Sequence, residues 1–238
     1  MGKEQFVTRL QEKGIELSPE QLNQFDQYYR LLVEWNEKMN LTGITEEDEV
    51  YTKHFYDSVS LAFYVPLQDV TKVADIGGGA GFPSIPLKIC FPHLEMTIID
   101  SLQKRMNFLE HVGNELGLTN LRPYHSRAEE AGQDKNLRES FDLVTARAVA
   151  RLNLLSEFCM PFAKVGGMFV AMKGSDVSFE LNEAKKAIKT LGGKTRKVET
   201  FQLPDEAGER NIVIIDKLEA TPKAYPRRPG VPAKKPLV

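Results

Sequence analysis

The residues best suited to chemistry in this 238-residue sequence form a glycine cluster behind an acid. Residues 73–83 read Val-Ala-Asp-Ile-Gly-Gly-Gly-Ala-Gly-Phe-Pro, so that Asp75 precedes Gly77, Gly79 and Gly81 at alternate positions. Glycines allow a strand to turn sharply into a helix, and they allow a ligand to contact the backbone. The segment therefore predicts a nucleotide-like ligand site between a strand and a helix.

The spacing of this cluster distinguishes two ligands. A dinucleotide fingerprint has the pattern GxGxxG, and here Phe82 stands at its third glycine position, where a ring hinders close packing of helix on strand. The pattern Asp-x-Gly-x-Gly-x-Gly, which this sequence has in full, is typical of S-adenosylmethionine sites. That ligand carries an ammonium group, for which Asp75 is the nearby acid, and it has no pyrophosphate for a helix N-terminus to hold.

Two further segments fit the same ligand. Asp100 ends the next predicted strand, where a carboxylate can accept hydrogen bonds from both ribose hydroxyls, although it could instead cap the helix that starts at Gln103. Arg127, Ala128 and Glu129 follow the third predicted strand, where a backbone amide or an acid can reach an adenine edge. Acids and glycines in this register favour a cofactor site over a purely structural turn.

The loop after the fourth predicted strand constrains the methyl acceptor. It reads Thr-Ala-Arg-Ala-Val-Ala-Arg over residues 145–151, without the Asp/Asn-Pro-Pro-aromatic tetrad of adenine amino methylation or the Pro-Cys nucleophile of cytosine methylation. A nucleobase acceptor should therefore need neither a thiol nor deprotonation, and guanine N7 has an available lone pair. The main task of such an enzyme is then to align guanine N7 with the methyl group of the donor. Arg147 is the candidate for positioning the base or the cofactor, with a surface ion pair as its alternative role.

The distribution of charge favours a phosphate-bearing substrate. The net charge is only −2, but residues 220–238 hold five bases and no acid. Arg105 and Lys173 stand near the predicted carboxyl ends of strands, where ligands bind in such sheets. We therefore predict that Arg105, Lys173, Arg227 and Arg228 contact RNA, with a solvated terminus as the alternative for the last two. Because the major groove of A-form RNA is closed to side chains, the target guanine should lie in a loop.

Composition bears on metal binding, cellular compartment and membrane insertion. The two cysteines, Cys90 and Cys159, have no metal-ligand spacing, and the four histidines are scattered. We therefore predict reduced cysteines, no metal and a cytoplasmic protein. No apolar run has the length of a membrane span, so no membrane partner is expected. The first ten residues carry charge rather than the apolar core of a signal peptide.

The elements that position these residues change in kind along the chain. Up to about residue 65 the pattern predicts helices, including a capping box at Ser18-Pro19-Glu20-Gln21. Beyond residue 70 short strands alternate with helices. The strands are predicted at Lys72–Ile76, Glu95–Asp100, Arg122–Ser126, Phe141–Arg147, Met168–Lys173, Thr195–Phe201 and Asn211–Leu218, and the helices at Pro83–Phe91, Gln103–Leu116, Leu152–Ala163 and Ser178–Leu191.

This alternation predicts an α/β fold with a mostly parallel seven-stranded sheet covered on both faces. The last two strands should pair antiparallel, because no clear helix separates them. We divide the chain into an N-terminal helical extension at 1–65, a Rossmann-like domain at 66–218 and a basic C-terminal tail at 219–238.

An ordered set of motifs then carries a family resemblance over nearly the whole chain. The motifs are Trp35-Asn36, Asn40-Leu41-Thr42, His54 with Asp57-Ser58, Asp75 to Pro83, Asp100-Ser101-Leu102, Lys104-Arg105, Ser126 to Glu129, Ala146-Arg147-Ala148, Lys173-Gly174, Tyr225 to Gly230, and Lys234-Lys235-Pro236. Together they resemble the bacterial 16S ribosomal RNA guanine-N7 methyltransferase G family, also called glucose-inhibited division protein B.

The resemblance implies a class I, Rossmann-like methyltransferase that uses S-adenosylmethionine. It implies methylation of one guanine in a decoding-region loop of 16S ribosomal RNA, as naked RNA or within a small ribosomal subunit precursor. It also implies that Gly77, Phe82, Ala128, Glu129 and Arg147 line the cofactor site, to which we add Ser101 beside Asp100. The oligomeric state does not follow from it.

Three other functions fit parts of the pattern. A methyltransferase acting on a small molecule or a protein would share the glycine turn without needing the basic rim and tail. A dinucleotide oxidoreductase is disfavoured by Phe82. A non-enzymatic RNA-binding protein would bind neither S-adenosylmethionine nor NAD, so titration with both ligands separates these alternatives.

Overall fold

A single sheet forms the centre of the protein. The structure is a computed structural model that describes residues 1–147, 149–174 and 177–238. Within these residues seven strands are found: β1 (Lys72–Ile76), β2 (Glu95–Asp100), β3 (Leu121–His125), β4 (Phe141–Arg147), β5 (Ala163–Lys173), β6 (Gly193–Gln202) and β7 (Glu209–Lys217). They pair in the order β3-β2-β1-β4-β5-β7-β6. β1 to β5 are parallel, and β7 is antiparallel to both β5 and β6.

The sheet confirms the predicted fold class and the antiparallel pairing of the last two strands. β5 is longer than predicted and starts at Ala163 rather than Met168. Its first half was missed because Gly166 and Gly167 interrupt the apolar pattern. A Cβ at Gly167 would lie 2.7 Å from the carbonyl oxygen of Asp142, so glycine permits the close approach of β5 to β4.

Helices surround the sheet. They are α1 (Lys3–Glu12), α2 (Pro19–Met39), α3 (Glu47–Val50), α4 (Asp57–Val59), α5 (Ser84–Cys90), α6 (Gln103–Glu115), α7 (Ala128–Ala131), α8 (Leu152–Cys159), α9 (Val177–Thr190) and α10 (Val231–Lys234). A π-helical turn at Tyr51–Tyr56 joins α3 to α4, and 3₁₀ turns occupy Ser60–Phe63, Met160–Phe162 and Pro204–Glu206. None of the described helices is both long and apolar enough to cross a membrane.

The start of α2 follows the predicted capping box. The Ser18 hydroxyl accepts a hydrogen bond from the backbone N–H of Gln21 at 3.2 Å, and the Gln21 side chain accepts one from the Ser18 N–H at 2.7 Å. Two N–H groups that a helix start leaves without partners are thereby satisfied.

The N-terminal helices share a core with the helices next to the glycine cluster. Phe6, Phe25, Tyr28 and Phe55 are buried in one cluster with residues of α5 and α6. The phenolic O–H of Tyr28 donates to the carbonyl oxygen of Ala80 at 2.6 Å, within the glycine segment itself. The N-terminal helices therefore support one wall of the turn, while the boundary at residue 65 stays a prediction.

The parallel register brings the chemical residues to one edge of the sheet. β1 pairs Ile76 with Ile99 of β2, and Asp75 with Thr145 of β4. The carboxyl ends of β1, β2 and β4 therefore lie side by side, which is where ligands bind in open α/β sheets. The glycine turn, Asp100 and Arg147 leave the sheet at this edge.

Candidate active site

The turn after β1 requires glycine at defined positions. Gly77, Gly79 and Gly81 have φ values of +73°, +59° and +98°, a region that residues with a Cβ rarely adopt. A Cβ at Gly77 would lie 2.8 Å from Val149, and one at Gly81 would lie 2.4 Å from Ile85. The backbone N–H of Gly77 donates to the carbonyl oxygen of Ile99 at 2.7 Å, which ties the turn to β2.

A cavity of about 520 Å³ opens above this turn, within the range of roughly 300–1,000 Å³ that is typical of small-molecule sites. Among the predicted cofactor residues its lining includes Gly77, Gly79, Asp100, Ser101, Ala128, Glu129 and Arg147. Arg105, which we expected to contact RNA, also lines this cavity. Residues that follow the ends of several strands therefore line one open cavity.

Asp75 lies beneath the turn rather than in the cavity wall. Its carboxylate is fully buried, and one oxygen, Oδ2, accepts a hydrogen bond from the Ser84 hydroxyl at 2.6 Å. The other oxygen, Oδ1, is buried without a hydrogen-bond partner among the residues that the structure describes. Burial raises the pKa of Asp75 to about 7, against the lowering effects of Ser84 and the Arg147 charge. An unpartnered buried acceptor of this kind fits a ligand that brings a cationic donor.

Asp100 joins the ends of β1 and β2. Its Oδ2 accepts hydrogen bonds from the Gly79 N–H at 3.2 Å and from the Arg105 guanidinium at 2.9 Å. Its Oδ1 accepts from the N–H of Leu102, the residue before α6, at 3.0 Å. The ribose role predicted for Asp100 stays a prediction. The pairing with Arg105 gives that arginine an acidic partner in place of the phosphate that we expected.

Arg147, at the end of β4, is held by the N-terminal helical segment. Its guanidinium donates to Asp57 Oδ2 at 3.1 Å and to the carbonyl oxygen of Lys53 at 3.2 Å, and a third contact reaches His54 Nδ1 at 3.4 Å. The guanidinium also lies over the Phe82 ring, 5.0 Å from its centroid. Phe82 therefore packs against Arg147 and is not among the residues that line the first cavity.

His54 is neutral in this arrangement. Burial and then the charge of Arg147 lower the pKa of His54 to about 3. Because a guanidinium only donates, Nδ1 of His54 must accept, and Nε2 therefore carries the proton that is donated to the Thr42 hydroxyl at 2.8 Å. No role was predicted for Thr42 or His54, because both lie far from Arg147 along the chain; their place among the family motifs was the one available signal.

A second cavity of about 370 Å³ adjoins the first, and Arg147 lines both. Its walls include His54, Asp57, Gly174 and Arg210, together with the apolar side chains of Ile44, Met172 and Ile212. Lys173, which we expected to contact RNA, also lines this cavity. Its ammonium is bound to the Ala150 carbonyl oxygen at 2.7 Å and to Glu180 at 2.8 Å.

The C-terminal tail closes one side of the first cavity, which the sequence did not predict. Gly230 and Ala233 line the cavity, and the Gly230 N–H donates to Glu129 Oε1 at 3.1 Å. Arg227 is not free for a phosphate, because its guanidinium is bound to Glu157, with Nη2 2.6 Å from Oε2. Arg228 is exposed. Membership of Gly230 in the Tyr225–Gly230 motif was the one signal that could have placed this segment at the site.

Neither cysteine supplies a nucleophile to these cavities. Cys90 and Cys159 are buried and free, and burial raises the pKa of both thiols above the ordinary range. In the described ranges no cluster of three or more histidine, cysteine or acidic side chains could hold a metal ion. The residues that do line the cavities are suited to binding and orienting ligands.

Comparison with known proteins identifies the family. The family profile described as "GidB: rRNA small subunit methyltransferase G" matches residues 21–213. The chain is 73% identical over 238 residues to a ribosomal RNA small subunit methyltransferase G of Brevibacillus brevis, with both chains covered in full. It is 58% identical over 237 residues to the protein of the same name from Bacillus pumilus, covering 100% of this chain and 99% of the relative.

A solved structure supports the fold independently. M. jannaschii TYW2, solved in complex with AdoMet, matches with a TM-score of 0.51 at 19% identity, covering 67% of this chain and 72% of that chain. At this level of identity the likeness bears on the fold alone. The chain belongs to the rRNA small subunit methyltransferase G family, a family of S-adenosylmethionine-dependent methyltransferases.

Proposed function

We propose that this protein transfers the methyl group of S-adenosylmethionine to N7 of one guanine in a decoding-region loop of 16S ribosomal RNA. The observation that carries the proposal is the cavity above the glycine turn, at the carboxyl ends of β1, β2 and β4, in a chain 73% identical to a small-subunit methyltransferase. Ribosomal RNA as substrate is in keeping with a cytoplasmic protein.

The first cavity supports the donor half of the proposal. When bound, S-adenosylmethionine supplies a methyl group on a sulfonium, which is electrophilic without help from a metal. Gly77 and Gly79 would let it approach the backbone, and the unpartnered oxygen of Asp75 would attract its ammonium from beneath the turn. Asp100 would receive its ribose hydroxyls, and Ala128 with Glu129 would border its adenine.

The second cavity supports the acceptor half. Its apolar side chains suit the faces of a base, and its two arginines and two lysines suit guanine O6 and the nearby phosphates. Arg147 borders both cavities, so a base placed in the second would lie next to the methyl donor in the first, with this side chain beside both ligands. We therefore propose that the second cavity receives the guanine.

The chemistry asks little more of the chain than alignment. Guanine N7 presents a lone pair and loses no proton when it is methylated. A general base is therefore not required, which suits a neutral His54 that is already bonded at both ring nitrogens. Holding donor and acceptor in line is the principal contribution of the protein, and Arg147 is the residue best placed for it.

The nature of the substrate favours an unpaired guanine. N7 lies on the edge of guanine that faces the major groove. In A-form RNA this groove is too deep and narrow for side chains to enter. The substrate would be 16S RNA itself or a precursor of the small subunit. Exposed cations near the cavities, among them Arg228, would contact its phosphates.

Transfer to purified substrates tests the proposal. The purified protein, tritiated S-adenosylmethionine and small ribosomal subunits from cells lacking the protein are incubated, with large subunits and total protein as control acceptors. We expect label in small-subunit RNA approaching about one methyl group per subunit. Label in protein or in small molecules instead would contradict the proposal.

A further inference from the structure

The C-terminal tail is fixed to the body of the protein by side chains that bind its backbone. Arg138 donates to the carbonyl oxygens of Tyr225 at 2.7 Å and Thr221 at 2.8 Å. Gln133 donates to the carbonyl oxygen of Pro226 at 2.9 Å. These bonds set the path of the tail up to residue 226.

At the next residue the tail makes an ion pair with an interior acid. Arg227 binds Glu157 of α8 through Nε and Nη2, at 2.9 Å and 2.6 Å, and its backbone N–H donates to the same carboxylate at 2.9 Å. The Glu157 side chain is 1% exposed. The pKa of Arg227 is raised by this hydrogen bonding. The next residue of α8, Phe158, lines the first cavity.

Beyond this ion pair the tail becomes part of the cavity wall. The Gly230 N–H binds Glu129, and Ala233 of α10 lines the same space. Both lie beside Ala128 and Glu129, where the adenine edge of the methyl donor is proposed to sit. The ion pair and the cavity wall are separated by only a few residues of the tail.

We infer that the Arg227–Glu157 ion pair is a latch that holds the C-terminal tail against the methyl-donor cavity, so that Arg227 is a positioning residue for the donor and not a phosphate contact. The inference rests on the proposed function for the identity of the donor. It reverses the assignment that the basic composition of the tail suggests.

The burial of Glu157 argues against a second role for Arg227. A guanidinium that turned outward to a phosphate would leave this carboxylate buried without its cation, which is costly. Arg228 is free of this constraint, because its side chain is exposed. Adjacent arginines are thereby expected to serve different ligands.

The two arginines provide a matched pair for the test. We would measure the affinity and dissociation rate of S-adenosylmethionine for the full-length wild type, Arg227→Ala, Arg227→Lys and Arg228→Ala. Arg227→Ala should bind at least about tenfold more weakly through faster dissociation, and Arg227→Lys, which keeps the charge without the bidentate geometry, should fall between. Arg228→Ala should stay within about twofold of wild type.

RNA binding gives the reciprocal result. Arg228→Ala should lower the slope of log affinity for small-subunit RNA against log salt by about one, whereas Arg227→Ala should leave that slope unchanged. A lowered slope for Arg227→Ala together with unchanged donor affinity would overturn the latch.

Ala233→Trp keeps the test decisive if Arg227→Ala fails to fold. Ala233 is exposed and lines the cavity, so the ring alters the wall while both partners of the ion pair are kept. Donor affinity should shift by more than about threefold, and an unchanged affinity would overturn the inference. A wild type that binds no S-adenosylmethionine would overturn the proposed function and the latch together. If wild type and Arg227→Ala bind S-adenosylmethionine with equal affinity, the latch alone would be overturned.

Discussion

Gly77 combines two constraints that a side chain cannot meet together. Its φ of +73° lies in the left-handed region, and a Cβ would meet Val149 at 2.8 Å. We expect Gly77→Val to lose S-adenosylmethionine binding by at least about a hundredfold, because a β-branched residue is strained at this φ and fills the floor of the cavity. Calorimetric titration measures this loss, with circular dichroism to confirm folding; a folded variant of unchanged affinity would contradict the site.

Asp75 provides a test that depends on pH. Its pKa is raised by burial from 3.8 to about 7, so the fold favours the protonated carboxyl. The stabilisation from this group is complete below about pH 4 and is lost as the pH rises through about 7, with a magnitude of up to about 4 kcal/mol. The free energy of unfolding of the ligand-free wild type should therefore fall across this interval relative to Asp75→Asn, which does not titrate there.

Chemical denaturation of both proteins at several pH values measures the difference. Other groups titrate alike in the two proteins, so their contributions cancel when the curves are subtracted. Parallel curves for wild type and Asp75→Asn would show that the carboxyl is not shifted, and the ammonium role argued from its burial would lose its basis.

At the scale of elements, the N-terminal helices have a task in the site. The segment from α3 through the π-helical turn to α4 supplies the Lys53 carbonyl, His54 and Asp57, all of which bind Arg147. Asp57 also contacts Arg210 of β7, with Oδ1 3.3 Å from Nε. The N-terminal helices therefore fix the side chain that borders both cavities.

A double-mutant cycle tests this arrangement. Arg147→Ala should lower kcat for methyl transfer by at least about a hundredfold with the fold intact, and Asp57→Asn by at least about tenfold. Because both changes disable one guanidinium, the double variant should be no slower than Arg147→Ala alone. Donor affinity and thermal stability are measured alongside. Losses that multiply in the double variant would show that Asp57 acts independently.

The sequence predicted elements best where local pattern and burial agree. β1, β2 and β4 begin and end at the predicted residues because each is a short, largely buried run flanked by loops. α8 ends at Cys159, before the predicted Ala163, because a 3₁₀ turn and then β5 take over. The π-helical turn left no signal, since its aromatic residues fit an ordinary helix equally well.

The site was predictable only in part, because local sequence patterns do not show which distant residues meet when the chain folds. The glycine turn and the acids near it are local motifs; Gly77, Gly79 and Asp100 line one cavity, whereas Asp75 lies buried beneath the turn. The partners of Arg147 and Arg227 are set by chain folding, since Asp57 is 90 residues from Arg147 and Glu157 is 70 residues from Arg227. Composition alone therefore assigned Arg227 to RNA, whereas its geometry joins it to an interior acid.

At the scale of the whole molecule, chain segments from both ends meet at one edge of the sheet. The N-terminal segment borders the second cavity, the C-terminal tail borders the first, and Arg147 lines both. In the proposed function the donor occupies the first cavity and the acceptor the second. A variant that fills one cavity should therefore affect one ligand.

Gly174 permits this separation. It lines the second cavity, and a Cβ there would meet no atom within 4 Å. Gly174→Phe should leave donor affinity within about twofold while lowering kcat/KM for small subunits by at least about a hundredfold. Val165→Phe, at an exposed position near the other end of β5, is the matched control and should behave as wild type. Equal activity of Gly174→Phe and Val165→Phe would contradict the proposal that the guanine binds in the second cavity.

The most direct test of the central claim is the identity and position of the transferred methyl group. Small subunits from cells lacking the protein are methylated by the purified wild type and by Arg147→Ala, and their RNA is digested for nucleoside mass spectrometry and mapped by cleavage at methylated guanines. We predict 7-methylguanosine at a single loop position with the wild type and almost none with Arg147→Ala. A different methylated nucleoside, or label spread over many positions, would contradict it.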